Sequence, residues 1–216
     1  MRAPKIAASK PGWGLERSLW IKGYGCIAGI DEAGRGALAG PVVAAAVILP
    51  HGTYPFDDSK RLTPQLREVL AAEVKRVALA WAVGAASASE IDELNVLRAT
   101  HLAAQRALKQ LPVQPDALVT DYLKLAFAGP VLAPPRADAT SFQVAAASIL
   151  AKTTRDALMV ALAGELPEYG FASHKGYGAP VHLQALATYG VTAAHRRTFG
   201  PVARCTTLPL SAPEKD

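Results

Sequence analysis

Short apolar, β-branched runs punctuated by glycine alternate with longer segments carrying helix-start signals. The first two runs, "CIAGIDEAG" and "PVVAAAVILP", are separated by a glycine-rich turn and read as two strands of a hairpin. "LTPQLREVLAAEVKRV" reads as a helix with Thr63 as N-cap and Pro64 at the first helical position. "ALAWAVGAASA" fits a third strand, and Ser87 with Glu90 three residues on makes a capping box for the long segment "EIDELNVLRATHLAAQRALKQL". "DALVTDYL" is a short strand ending in an acid. A helix over "FQVAAASILAKTTRDALMVALAG", stopped at Gly164, and another from Pro180 to Gly190 complete the pattern. The order of elements predicts an α/β fold with a C-terminal helical part.

With 216 residues, the chain is sized for one domain, or one domain with an extension. Hydrophobic residues make up 50% and charged residues 19%, which supports a sizeable core and argues against disorder. No internal repeat or long linker is visible. Residues 1–14 are expected to be a flexible N-terminus, 15–204 the folded domain, and 205–216, which hold two prolines, a flexible tail.

Charge and cysteine usage narrow the setting. Lys and Arg number 23 against 18 acids, a net charge of +5 that makes polyanions plausible partners. Cys26 and Cys205 lie far apart with no C-x-x-C spacing, so neither a disulfide framework nor a zinc site is indicated and a reducing cytoplasm fits. The N-terminus lacks the apolar stretch of a signal peptide, and the longest apolar run, residues 42–49, is too short to span a bilayer. A soluble, cytoplasmic protein with no membrane partner is expected.

"GIDEAGRGALAG", residues 29–40, poses the chemical question, because its glycines almost copy a dinucleotide-binding loop. Such a loop must lead into a helix whose N-terminal amides hold the pyrophosphate. Here the glycines lead into Pro41 and a β-branched run, and the spacing misses by one. With the nucleotide reading demoted, the two acids still need a reason to end an apolar strand. Asp31 and Glu32 follow Ile27, Ala28 and Ile30, and a buried carboxylate is costly unless paired or metal-bound. Solvated turn residues are the bland alternative. In a regular strand the two acids also point to opposite faces, so joint ligation asks the chain to break from β geometry there, as Gly34 and Gly36 would permit.

Two further acids stand at suitable places: Asp121 ends the strand "ALVTDY", and Asp156 shares a helix face with Ser148 and Lys152 at four-residue spacing. Singly, each has a structural explanation, a turn cap for Asp121 and a surface pair with Lys152 for Asp156. Together, four carboxylates would suit two Mg²⁺ or Mn²⁺ ions roughly 4 Å apart, one activating water and the other stabilising the leaving oxygen of a phosphodiester.

Five stretches in order, "IAGIDEAGRGALAGPVVAAAVIL", "DDSKRL", "EIDELNVLRAT", "SFQVAAASILAKTTRD" and "PEYGFASHKGYGAPVHL", resemble the ribonuclease HII family over residues 15–202. The resemblance implies a ribonuclease H-like fold, a mixed β-sheet flanked by helices with a C-terminal helical extension. It implies that Asp31, Glu32, Asp121 and Asp156 are the metal-binding catalytic carboxylates, Asp156 being the more peripheral. It implies too that Gly34, Arg35 and Gly36 contact a ribose 2′-OH together with Tyr177, and that Lys60 approaches a backbone phosphate. The implied enzyme is a monomeric, Mg²⁺- or Mn²⁺-dependent endonuclease. It would cut RNA in RNA/DNA hybrids, or 5′ to ribonucleotides embedded in DNA, leaving 3′-OH and 5′-phosphate ends. One hydroxyl is what separates RNA from DNA at such a site, and glycines let the backbone come close to it.

The chain departs from the family pattern at Ala37, where a proline is common, and at Tyr122, where a glycine usually follows the third acid; residues 124–138 align loosely and no role is carried from them. His174, Lys175 and Arg196 are candidate phosphate contacts, while Asn95 and Thr100 are read as structural hydrogen-bonding residues. Two other functions stay open: a metal nuclease or strand-transferase of the same broad fold that ignores sugar identity, and a basic module that grips hybrid duplex without cutting it. Four clustered carboxylates lacking a metal would repel a phosphate backbone, which counts against the second.

Overall fold

In the computed structural model, residues 10–206 are described; the first nine residues and 207–216 lie outside them, while Cys205 and Thr206, expected to begin a flexible tail, instead close the last helix. The helices are α1 (Gly14–Trp20), α2 (Pro64–Val77), α3 (Ala88–Leu94), α4 (Val96–Gln110), α5 (Phe142–Glu165), α6 (Phe171–His174), α7 (Pro180–Tyr189) and α8 (Gly200–Thr206). The strands are β1 (Ile27–Ala33), β2 (Val42–Ile48), β3 (Ala80–Ala86), β4 (Ala117–Thr120) and β5 (Val131–Leu132).

These strands form one mixed sheet in the order β3-β2-β1-β4-β5. The predicted hairpin is the antiparallel β1–β2 pair, β3 extends it antiparallel, and β4 lies parallel to β1. Every residue of β2 is buried, as expected of a strand covered on both faces. On one face α4 sets Ala99, Ala103, Ala104 and Ala107 against Ala28, Ile30, Ala44 and Ala46. On the other, α5 and α2 pack against Ala45 and Val47. The alanine-rich composition thus serves close approach of helix and sheet. A Cβ on Gly29 would lie 2.3 Å from the Gln143 carbonyl carbon, and one on Gly84 2.2 Å from the Ala103 oxygen.

Local signals that depend on neighbours in sequence hold. Thr63 accepts the Leu66 amide and Ser87 and Glu90 form their capping box. The expected single long helix after Ser87 is instead two, because Asn95 takes a left-handed φ of 68° and its side chain caps the Leu97 and Arg98 amides. Asparagine tolerates that conformation better than most residues. α5 runs one residue past Gly164, the predicted stop, where a Cβ would meet nothing within 4 Å. The chain is also anchored earlier than the N-terminal expectation. Gly12 bonds to Thr140 and Phe142, and Trp13 packs among the rings of Trp20, His51, Tyr54 and Phe142.

The C-terminal helices pack on the β1–β2 loop through Leu38, Ala39, Met159, Tyr169, Phe171 and Leu186. Three histidines lie in this layer. The His195 Nδ1 accepts the Thr192 amide, so its Nε2–H donates to His182 Nε2 at 3.2 Å, and the His182 Nδ1–H then donates to the Tyr177 carbonyl at 2.9 Å. His174 stacks on His182 with ring centroids 4.6 Å apart. The bonds accepted by His195 Nδ1 and His182 Nε2 require those nitrogens to be unprotonated, and so a neutral ring at each. Burial, reinforced by His182, pulls His195 from its ordinary 6.5 to about 4.

Two predictions test this packing. Gly29→Ala should destabilise the protein by about 1–3 kcal/mol, read as a lowered midpoint of chemical denaturation. Below pH 6.5 the unfolded chain protonates His195 and the folded protein does not until about pH 4, so stability should fall as pH drops through that window, by about 3 kcal/mol in total. His195→Asn, which lacks a titrating ring, should show a shallower loss of thermal stability across the same range.

Candidate active site

β1 stays paired through its C-terminal end, with Asp31 opposite Ala45 and Glu32 opposite Ala44. The strand does not break at the two acids, yet at its end both carboxyls come within reach of the charge of Asp121, so they share one neighbourhood without the break that joint ligation seemed to require. Asp31 is buried on the α5 side, where it hydrogen-bonds the Ser148 hydroxyl. Burial, then the charge of Glu32 and to a lesser degree Asp121, pushes its carboxyl well above the usual range. Glu32 is also raised by burial. Its Oε1 accepts from Arg35 at 3.1 Å, while its Oε2 is buried with no hydrogen-bond partner.

Asp121 comes from the parallel neighbour: its amide donates to the Ile30 carbonyl, and its Oδ1 accepts the Ala137 amide at 3.0 Å. That bond seats the turn Ala137–Ala139 and with it Asp138, which is 3% exposed. Burial and the charges of Asp58 and Asp121 raise Asp138, and its Oδ2 accepts from Lys60 Nζ at 3.3 Å. Burial tends to lower Lys60, but Asp58, Asp138 and Asp31 together raise it. The lysine, expected at a phosphate, therefore supplies positive charge inside the acidic cluster.

Sequence reasoning misses Asp138 because it follows a proline-rich stretch with no periodicity. Its signal is the one that flags Asp31, an acid set among small apolar residues beside an apolar run. Asp156, by contrast, is held on α5 by Arg67 at 2.9 Å and Lys152 at 2.7 Å, in the wall of a neighbouring groove of about 740 Å³. Among the described residues no three His, Cys, Asp or Glu side chains converge tightly enough to hold a metal as they stand. Glu32, Asp121 and Asp138 are each turned to a partner of their own.

The glycine loop divides in two. Gly34, with φ +96°, is buried, and a Cβ there would lie 1.9 Å from Arg155 Nε, so any side chain at this position would displace Arg155. Gly36 is exposed, with nothing within 4 Å of a Cβ, and Arg35 between them is exposed too. Ala37 closes the turn by donating its amide to the Gly34 carbonyl, a bond proline could not make. Tyr122, in place of the customary glycine, is 71% exposed and takes a left-handed φ of 56°.

Tyr177 is partly exposed, its ring over Arg155 at 5.2 Å and Lys152 at 5.8 Å. His174 and Lys175 border the same groove, although the His174 Nε2 is committed to the Tyr169 carbonyl and the Lys175 ammonium to that of Ala172. Arg196 corrects its expectation: it is fully buried and donates only to backbone carbonyls, so it cannot reach a phosphate. Asn95 and Thr100 make local hydrogen bonds, as read.

Known proteins resemble this chain over nearly all of the described fold. The profile of the family described as Ribonuclease HII matches residues 28–202. A ribonuclease HII of Thermus thermophilus is 56% identical over 200 residues, covering 93% of this chain and 97% of that protein. The crystal structure of ribonuclease H2 from Pyrococcus horikoshii OT3 superposes with a TM-score of 0.71 at 28% identity, covering 83% of this chain and 96% of that one. Bst-RNase HIII in complex with Mn²⁺, at 17% identity and TM-score 0.64 over 94% of this chain and 75% of that one, shares the fold. The mixed sheet with acids at the ends of its central strands is accordingly the ribonuclease H-like fold, and the chain belongs to the ribonuclease HII family of ribonuclease H type endonucleases.

Proposed function

We propose that this enzyme hydrolyses the RNA of RNA/DNA hybrids and cuts 5′ to single ribonucleotides embedded in duplex DNA, leaving 3′-OH and 5′-phosphate ends, with Mg²⁺ or Mn²⁺ as cofactor. The observation that carries this reading is the acidic cluster of Asp31, Glu32, Asp121 and Asp138 beside an exposed glycine turn. Three of these carboxylates are raised by burial and by like charge, and Glu32 keeps one oxygen buried and unpartnered. Such a set fits a hard divalent cation, which would relieve the repulsion that now opposes ionisation. A bound ion of this kind supplies water activation and charge neutralisation on the leaving oxygen.

The residues of the chain do the rest. Asp31, Glu32, Asp121 and Asp138 hold the cofactor, so that Asp138 takes the place the sequence assigns to Asp156. Arg35 and Lys60, paired with Glu32 and Asp138, would supply positive charge for the flanking phosphates, which positions the duplex without reading sequence. Gly36 offers backbone to the 2′-OH, and Tyr177 stacks on sugar or base from the opposite wall. Cys26 and Cys205, both free and half-buried, support a reducing, cytoplasmic setting.

The test is cleavage of three labelled duplexes in Mg²⁺: all DNA, DNA with one ribonucleotide, and RNA/DNA hybrid. A cut 5′ of the ribonucleotide with the DNA duplex intact is expected, whereas cutting of the DNA duplex would show an enzyme that ignores sugar identity. Asp31→Asn should lose cleavage by at least about a thousandfold and retain metal-free duplex binding, because binding rests on Arg and Lys contacts. Asp138→Asn should lose comparably and Asp156→Asn by less than about tenfold. The reverse ranking would return Asp156 to the ligand set.

A further inference from the structure

Residues 34–41 join β1 to β2 without regular structure, and Gly34, Ala37, Leu38, Ala39 and Gly40 among them are buried. Buried carbonyls need donors. Two arginines supply them, and both are fully buried with no ion pair among the described residues. Arg196 donates to the Gly40 carbonyl through Nε at 3.0 Å and Nη2 at 2.9 Å, and to the Arg35 carbonyl through Nη1 at 2.8 Å. Arg155 donates to Pro41 at 3.1 Å, Ala39 at 3.2 Å and, across the gap to the Tyr177 loop, Lys175 at 2.9 Å.

The bond to Arg35 has a directional consequence. In a planar trans peptide the N–H points opposite to the C=O. Fixing the Arg35 carbonyl on buried Arg196 therefore aims the Gly36 N–H outward, at the exposed turn where nothing crowds the glycine. Arg155 extends the same scaffold to the other wall, since its guanidinium lies under the Tyr177 ring and against Gly34. Burying two guanidinium groups within reach of each other's charge is expensive, and an apolar core would fill the space at lower cost.

On the reading that this is a ribonucleotide-directed nuclease, we propose that Arg155 and Arg196 are positioning residues for ribose recognition. Arg196 aims the Gly36 amide at the 2′-oxygen, and Arg155 locks the Tyr177 loop to the same frame. Neither touches nucleic acid. Their loss should therefore affect discrimination and rate while sparing general duplex affinity.

Arg196→Lys and Arg155→Lys test this by thermal unfolding, single-turnover cleavage at one embedded ribonucleotide, and metal-free binding to ribonucleotide-containing and all-DNA duplexes. Each variant, still folded, should bind all-DNA duplex within about twofold of wild type, lose at least about tenfold in single-turnover rate, and bind the two duplexes with a severalfold smaller preference. Gly36→Pro, which deletes the amide hydrogen at an exposed position and leaves both arginines in place, should reproduce the lost preference and decides the matter if the arginine variants unfold. Retained rate and preference in a folded arginine variant, or retained preference in Gly36→Pro, overturns the proposal. A wild-type enzyme that neither cleaves nor prefers the ribonucleotide duplex would instead refute the function on which it rests.

Discussion

The structure depends on one crossing, that of α5 over β1. It is close because Gly29 has no side chain where Gln143 passes and because α5 presents mostly alanine to the sheet. Close packing of this kind makes the helix a fixed ruler along the strand. Gln143 accepts the Leu49 amide near the start, Ser148 meets Asp31 in the middle, and Arg155 meets Gly34 at the strand's end. A shift of the helix by one residue would rotate all three away from their partners together. The Asp31 carboxylate and the loop beyond it are thus positioned by the same contact.

Around that crossing the molecule separates its buried charge. Asp31, Glu32, Asp121 and Asp138 form a negative cluster at the strand ends, with Lys60 among them. Arg155 and Arg196 form a positive pair beneath residues 34–41, answered by carbonyl dipoles rather than carboxylates. The two groups need different resolutions. The arginines are satisfied within the fold, whereas the acids keep a buried, unpartnered oxygen on Glu32.

The C-terminal layer follows a third rule, neutrality. His174, His182 and His195 are packed against one another and against Phe171, and burial holds His182 and His195 below the ordinary histidine range. Their tautomers are dictated by backbone groups at Thr192, Tyr177 and Gly176. This layer carries the Tyr177 loop, through the bond from His182 Nδ1 to the Tyr177 carbonyl.

Features governed by neighbours in sequence were legible without the structure: the hairpin of β1 and β2, the caps at Thr63 and Ser87, the helix opened by Pro180, and the pairing of Lys152 with Asp156. Periodicity and capping are short-range, so a linear string contains them. The family motifs identified three of the four clustered acids and the glycine turn. What the string could not contain is which charges meet. Asp138 joins the cluster only because Asp121 accepts the Ala137 amide, and Asp156 is drawn aside by Arg67 from a different helix. Arg196 looks like a surface cation in a basic run and is buried, its guanidinium bonded to the Gly40 and Arg35 carbonyls and lying over the Phe199 ring. Sequence determined the fold class, the elements and the acidic chemistry. Beyond pairs one helical turn apart, tertiary packing decided which charges meet, because the electrostatic environment of a buried group is set by what surrounds it in space and not by what adjoins it along the chain.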